Sequence, residues 1–136
     1  MEIFAWWFMT SHVHLIFRSA STQKPELLLG DFKRFTSKTI VDAIIKNPKE
    51  SRKDFLLEQF SKAGIQSSNV NKYQFWRHDN KPIELWSNKV IDEKIDYTHN
   101  NPVEEGYVFS PEDYLCSSAA DYAGEKGLLD NVIIVK

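Results

Sequence analysis

An apolar run at residues 8–17 (FMTSHVHLIF) carries two histidines that are separated by a single residue. In a β-strand, side chains alternate between the two faces, so His12 and His14 lie on the same face. Two imidazoles side by side on a strand can bind a divalent metal, or they can simply be hydrogen-bonded on a half-exposed strand. The alternation sends the neighbouring apolar side chains to the other face, into a core: Val13, Leu15 and Phe17.

The same reasoning predicts strands at 3–9 and 12–18, which are either continuous or separated. The aromatic run at 6–8 suits a strand that is buried on both faces. Residues 73–77 alternate aromatic and polar side chains and are predicted as another strand. The apolar residues 132–135 are strand-like.

Helical spacing predicts two helices in the first half of the chain, at about 25–46 and 50–63. Pro25 suits a first helical turn, Pro48 follows the first helix, and Gly64 is a plausible cap for the second. The first helix is expected to face the core through one stripe: Leu28, Phe32, Phe35 and Thr39. A basic, hydroxyl-bearing surface lies largely off that stripe: Lys33, Arg34, Ser37 and Lys38. The buried side of the second helix is expected to be Phe55, Leu56 and Phe60.

A third helix is predicted from the N-cap Ser87 to about Asn100, with Pro102 ending it because a residue before proline is pushed out of the α region. Residues three and four apart are neighbours on a helix. Lys94, Tyr97 and Asn101 therefore form one stripe.

Length and composition fit one domain, residues 1–136. The one cysteine, Cys116, excludes an internal disulfide and favours a reducing compartment. The apolar start has no basic residues ahead of it and is too short to span a membrane. A cytoplasmic protein is expected.

Charge is unevenly distributed along the chain, although the net charge is only −2. Residues 18–53 carry nine Lys/Arg against four Asp/Glu, whereas residues 92–130 carry two against ten. The basic part could follow a phosphate backbone while the acidic part faces away, or both could be ordinary solvated surfaces.

Four side chains could together support phosphoryl-transfer chemistry. The imidazoles of His12 and His14 and the amide oxygen of Asn101 offer mixed nitrogen and oxygen ligands, which suit Mg²⁺ or Mn²⁺ without excluding Zn²⁺. Tyr97 could then attack phosphorus. Each has a structural alternative, since a helical tyrosine is usually a packing residue and spacing alone cannot join His12 to Tyr97. His99 is expected to be structural or solvent-facing, and His78 to lie on the surface.

Two motifs carry a family resemblance. Residues 8–17 resemble the HUH motif (His, hydrophobic, His) of single-tyrosine transposases. Residues 95–108 (IDYTHNNPVEEGYV) resemble their catalytic-tyrosine segment, in the Tyr-x-x-x-Asn-Pro-Val form typical of the REP-associated tyrosine transposases, the RAYT group. Segments 31–38, 73–76 and 113–119 follow the same order, so the resemblance covers nearly the whole chain.

The resemblance implies specific roles. Tyr97 would be the nucleophile, His12 and His14 the metal-binding pair, and Asn101 the polar residue that helps to hold Mg²⁺ or Mn²⁺. The fold would be α+β, an antiparallel sheet with helices, of the ferredoxin-like HUH-nuclease type. The implied activity is DNA transposition and recombination, in which single-stranded DNA is cut and rejoined beside hairpins through a 5′-phosphotyrosine.

This chain departs from the family because the usual first strand and helix do not precede the HUH strand. The shortened chain could therefore be an active enzyme, or an inactive remnant that only binds DNA. A homodimer is expected, with a second copy covering an exposed sheet edge. A structural metal site without any DNA role is a third hypothesis.

Single-stranded or hairpin DNA is the expected partner. Phosphate contacts fix position without reading sequence. The predicted DNA-contacting cations are Lys33, Arg34 and Lys38, followed by Arg18 and Arg77. Trp76 or Phe75 could stack on an unpaired base, and packing in the core is the alternative for both.

Overall fold

The computed structural model describes residues 1–67 and 72–135 as an α+β chain with one two-stranded antiparallel sheet. It divides into two compact units, one formed by Met1–Gln23 with Ile83–Lys136 and the other by Lys24–Pro82. The prediction of a single domain stays a prediction. The elements are β1 (Glu2–Phe8), β2 (Val13–Arg18), α1 (Pro25–Lys46), α2 (Lys53–Ile65), α3 (Asn88–Glu104), a 3-10 turn (Pro111–Asp113) and the short α4 (Ala119–Tyr122).

The two strands lie close to the predicted ranges 3–9 and 12–18 and form an antiparallel hairpin, a pairing that the alternating pattern left open. A hydrogen bond from the Met9 amide to the His12 carbonyl closes the turn at 2.9 Å, so the two strands are separate. The register sets Trp7 opposite His14. Directly opposed residues share a face of the sheet, which places the Trp7 indole beside the histidines.

Burial in the hairpin is less complete than the pattern predicts. Trp6 and Trp7 are buried, but Phe8 is exposed, so the aromatic run is not covered on both faces along its whole length. The side chains expected in a core on the second face are only half-buried: Val13, Leu15 and Phe17. The sheet has two strands in the described part of the chain, and β2 has no second neighbour there.

Irregular segments cover the other edge of β1. The Phe8 amide donates to the Cys116 carbonyl, and Trp6 and Ser118 exchange hydrogen bonds through the Trp6 amide, the Ser118 amide and the Ser118 hydroxyl. Ile3 forms an isolated parallel bridge with Val132. The strand predicted at 132–135 is therefore reduced to a single bridge, because the chain pairs there at one residue only.

Helix α3 begins as predicted and ends later than predicted. The Ser87 hydroxyl caps it by accepting from the Val90 amide at 3.3 Å. Pro102 lies inside the helix, which continues to Glu104. Gly106, just beyond the C-cap Glu105, terminates the helix with a φ of 75°, which favours glycine. The Tyr107 amide donates to the Pro102 carbonyl and the Gly106 amide to the Val103 carbonyl, which is a Schellman arrangement.

Helix α1 has the predicted bounds, but only part of the predicted core stripe is covered. Phe35, predicted to be in the core, is 71% exposed, and Thr39 is also exposed. Leu28 and Phe32 of the predicted stripe are half-buried, and in the second half of the helix the less exposed positions include Thr36, Ile40 and Val41. Thr36 is held there because its hydroxyl donates to the Phe32 carbonyl and accepts from the Trp76 indole.

Helix α2 starts three residues later than predicted and includes Gly64, which is buried inside the helix rather than capping it. Gln66 takes the C-cap position. Phe55 is exposed, while Leu56 and Phe60 are half-buried as expected.

The prediction of a strand at 73–77 is wrong. These residues form no ladder, because their polar groups bond to the two helices and to each other. The Gln74 amide donates to the Phe60 carbonyl of α2, and the Trp76 indole donates to Thr36 of α1, both at 2.9 Å. The alternation of aromatic and polar residues arises from packing on helices.

A buried histidine joins α3 to β1. His99 Nε2 lies 2.8 Å from the Ser118 hydroxyl, and the His99 ring makes an edge contact with Tyr122 at 4.9 Å. Burial lowers the pKa of His99, and the carboxylates of Asp96 and Asp121 oppose this shift. Of the two roles expected for His99, the structure shows the structural one.

This burial predicts acid-sensitive stability. The folded pKa of His99 is below its unfolded value of about 6.5, so the unfolded chain binds a proton that the folded chain excludes. The stabilisation is complete above about pH 6.5 and is lost as pH falls toward the folded pKa. Urea unfolding between pH 7.5 and 5 should show a falling free energy, with a shallower slope in His99→Gln and the wild-type slope in the exposed control His78→Gln. Equal slopes in all three proteins would contradict the prediction.

Within the described ranges, no helix combines the length and apolar character needed to cross a membrane.

Candidate functional site

The histidine pair and the tyrosine predicted from the sequence lie in contact. The ring centroids of His12 and His14 are 5.4 Å apart, and those of His14 and Tyr97 are 6.1 Å apart. The hairpin supplies the two imidazoles and α3 supplies the phenol. Residues from distant parts of the chain thus form one cluster within the first unit.

The buried indole of Trp7 packs against both imidazoles of this cluster. It is 1% exposed, and its ring centroid lies 5.0 Å from that of His12 and 4.8 Å from that of His14. A buried indole in contact with both rings restricts their movement, since a packed interior leaves few alternative rotamers. Packing against Trp7 therefore holds the two imidazoles in place.

Hydrogen bonding and burial leave each imidazole suited to bind a cation. The Ser11 hydroxyl lies 3.1 Å from His12 Nδ1, so in the tautomer with a proton on Nδ1 that nitrogen donates to Ser11 and Nε2 is a free ligand. Burial, and secondarily the charge of His12, lowers the pKa of His14. His14 therefore stays neutral, and able to ligate, at pH values below its ordinary range.

The donor set fits a divalent cation with mixed ligation. Two imidazoles that share a metal have centroids no more than roughly 6 Å apart, because each nitrogen lies about 2.1 Å from the ion. The 5.4 Å separation of His12 and His14 satisfies that limit. Across residues 1–67 and 72–135, no group of three or more His, Cys, Asp or Glu side chains could hold a metal.

Asn101 is the predicted amide ligand. It lies one helical turn after Tyr97 and is buried, and its Nδ2 donates to the Tyr97 carbonyl. This bond uses the amide nitrogen and leaves Oδ1 as the acceptor of the group. The Tyr97 ring contacts that of His14, whereas the Asn101 side chain makes its hydrogen bond within α3.

The Tyr97 phenol is accessible as well as anchored. Its side chain is 49% exposed, while Ile95 and Thr98 on the same helix are buried and fix the helix against the first unit. Lys94 lies one turn earlier, with Nζ 5.5 Å from the Tyr97 ring centroid. An exposed phenol between an imidazole and an ammonium can meet an anionic substrate.

The cationic side chains predicted to contact DNA differ in the hydrogen bonds and ion pairs that they form within the protein. Within the second unit, Lys33 donates to the Arg77 carbonyl and to Asn80 Oδ1, and burial lowers its pKa against the opposing charge of Asp79. Arg34 pairs with Asp31 at 2.9 Å, and Arg77 pairs with Asp79 at 3.3 Å. Both arginines remain largely exposed.

Two further cations complete that set. Lys38 is exposed on α1, without an ion pair in the described parts of the chain. In the first unit, Arg18 pairs with Glu2 and lies over the Phe4 ring. Of the five cations predicted to contact phosphates, Lys38 is the least engaged.

Trp76 and Phe75 are half-buried and pack against other side chains, which is the alternative to base stacking given above. The Trp76 ring lies 5.0 Å from that of Phe75 and 6.3 Å from that of Phe32. Its indole nitrogen donates to Thr36. These contacts occupy the aromatic faces and edges within the second unit.

Three supporting residues were not predicted from the sequence. Trp7 could have been found by counting back across a four-residue turn from His14, because a hairpin register places it opposite. Ser11 could have been found as a hydroxyl adjacent to a candidate ligand. Ser118 carries no sequence signal, since its role depends on a tertiary contact with His99 and β1.

Comparisons with protein-family models, with curated proteins and with solved structures found no match.

Proposed function

We propose that this chain is a single-tyrosine DNA strand transferase of the HUH type, similar to the REP-associated tyrosine transposases. The observation that carries the proposal is the contact between the His14 ring and the accessible Tyr97 ring, at 6.1 Å. A structural histidine pair has no need of an exposed phenol beside it. A nucleophile for phosphoryl transfer does need to be accessible and aligned.

In the proposed reaction, Tyr97 Oη attacks a phosphorus of single-stranded DNA beside a hairpin. The bond between phosphorus and the 3′ oxygen breaks, which leaves a 5′-phosphotyrosine and a free 3′-hydroxyl. His12, His14 and Asn101 would hold Mg²⁺ or Mn²⁺. When bound, the cation would supply polarisation of the phosphate and neutralisation of its charge. Strand transfer reverses the reaction with a second 3′-hydroxyl.

The finer fold assignment is part of the same proposal. The hairpin and α3 would correspond to the part of a ferredoxin-like HUH fold that carries the imidazole pair and the tyrosine. The exposed cations on α1, Lys38 and Arg34, would contact the DNA backbone. A homodimer that pairs along the free edge of β2 would extend the sheet.

A covalent-adduct assay tests the proposal. The full chain is incubated with hairpin-flanked single-stranded DNA and Mn²⁺, denatured and run on a gel. A protein–DNA band that resists denaturation and is prevented by a chelator is expected. DNA binding without such a band would instead indicate a binding remnant. Metal binding without any DNA binding would indicate a structural metal site.

The imidazole pair should be needed for metal binding in its own right. Substituting either ligand (His12→Ala or His14→Ala) should weaken Mn²⁺ binding by at least about 10-fold, because removal of a ligand costs no less than loss of its hydrogen-bonding partner. Calorimetric or spin-resonance titration with Mn²⁺ measures this without DNA. The matched control is His78→Ala, an exposed histidine in the other unit that contacts Ser67. Equal Mn²⁺ affinities in all four proteins would contradict the metal site.

A further inference from the structure

Lys94 occupies an unusual position next to the candidate nucleophile. Its Nζ lies 5.5 Å from the centroid of the Tyr97 ring, three residues further along α3. Side chains at this spacing are neighbours on a helix. Lys94 is half-buried, so its ammonium is held near the phenol instead of extending freely into solvent.

Lys94 belongs to a segment of the chain in which acidic residues greatly outnumber basic ones. Residues 92–130 contain ten acidic side chains and only two basic ones, Lys94 and Lys126. Lys126 pairs with Asp130 at 3.4 Å. In the described ranges no carboxylate lies within ion-pairing distance of Lys94, although three acidic residues flank it in sequence: Asp92, Glu93 and Asp96. The unpaired cation of this acidic segment thus lies against the tyrosine.

We propose that Lys94 binds a non-bridging oxygen of the phosphodiester that Tyr97 attacks. This inference rests on the function proposed above and assigns a residue that recognises the substrate. The ligand class is a single-stranded phosphodiester. The acidic residues that flank Lys94 in sequence would repel DNA, so a cation at the point of attack both attracts the phosphate and locates it beside the phenol.

Lys94 takes part in this chemistry through its positive charge alone. As the bond from Tyr97 Oη to phosphorus forms and the bond to the 3′ oxygen breaks, the phenol proton passes to solvent. The leaving oxygen takes the bonding electron pair and a proton from solvent. A fixed ammonium beside the non-bridging oxygens stabilises their charge in the transition state. Lys94 forms and breaks no covalent bond.

The test measures the rate of adduct formation at saturating DNA in a single turnover. Lys94→Met keeps the apolar stem and removes the charge, and it should lower the rate constant by about 10²–10³-fold. Lys94→Arg should recover part of the loss. The matched control is Lys89→Met, on the same helix, where an 86% exposed side chain lies 3.9 Å from Glu93. The control should stay within about twofold of wild type, as expected for an exposed side chain in a weak pair.

A second substrate separates phosphate binding from mere orientation of the phenol. A methylphosphonate at the scissile position removes the charged non-bridging oxygen. On that strand the ratio of wild-type to Lys94→Met rates should fall toward one. A ratio that stays as large as on ordinary DNA, or a Lys94→Met rate equal to wild type on ordinary DNA, would overturn the inference. Absence of any wild-type adduct on ordinary DNA would overturn the proposed function itself.

Discussion

Replacing Tyr97 by phenylalanine should abolish the covalent protein–DNA adduct. Tyr97→Phe removes only the phenol oxygen, so the ring contact with His14 and the position of Lys94 over the ring are retained. Without the nucleophilic oxygen no phosphotyrosine can form, and removal of a nucleophile typically costs at least about 10³-fold in rate. The adduct assay described above measures this directly, with DNA affinity determined in parallel.

The chain offers a closely matched control for this substitution. Tyr107 follows α3 in the same unit and is 52% exposed, compared with 49% for Tyr97. Tyr107→Phe should leave the adduct yield unchanged while Tyr97→Phe eliminates it. Mass spectrometry of the digested wild-type adduct should locate the DNA on Tyr97. An adduct that survives in Tyr97→Phe, or one located on another residue, would remove Tyr97 from the reaction.

Local patterns predicted the elements that depend on local physics. The period of two around His12 and His14 located strand β2 to within one residue, and Pro25 marked the start of α1 as the structure has it. The cap at Ser87 was likewise predicted, because its hydroxyl acts on an amide three residues away. Such signals need only neighbouring residues to be interpreted.

The predictions that were wrong concern features that depend on contacts between residues far apart in the sequence. Which face of α1 is covered depends on the Trp76 indole donating to Thr36, and no periodicity within α1 reveals that contact. Residues 73–77 alternate like a strand, but a strand needs a partner, and Gln74 bonds instead to the Phe60 carbonyl of α2. Pro102 would end an isolated helix, yet α3 continues until Gly106 supplies the conformation that terminates it.

The candidate site shows the same division. The residue types at His12, His14 and Tyr97 suggested chemistry, but only the resemblance joined the hairpin to α3, and the 6.1 Å ring contact is a tertiary fact. Lys33 illustrates the opposite outcome. Its charge predicts a phosphate contact, whereas its ammonium bonds to Asn80 and to the Arg77 carbonyl. Charge in a sequence does not show which cations are already engaged.

Replacing Trp7 by alanine should destabilise the fold by about 3–5 kcal/mol, which is the typical cost of emptying a buried tryptophan site. Trp7 is among the largest fully buried side chains and lies against both imidazoles. A two-stranded hairpin has little stability of its own and relies on such packing. Since small domains are stable by only about 5–15 kcal/mol, this loss should lower the unfolding midpoint sharply.

Urea unfolding followed by far-ultraviolet circular dichroism is the appropriate measurement, because removal of a tryptophan alters fluorescence in any case. Trp86→Ala is the matched control, since Trp86 is 78% exposed and its loss should change stability by no more than about 0.5 kcal/mol. Trp7→Phe retains a ring and should fall between the two. Equal stability of Trp7→Ala and Trp86→Ala would contradict the prediction. It would also mean that packing against Trp7 does not hold the two imidazoles in place.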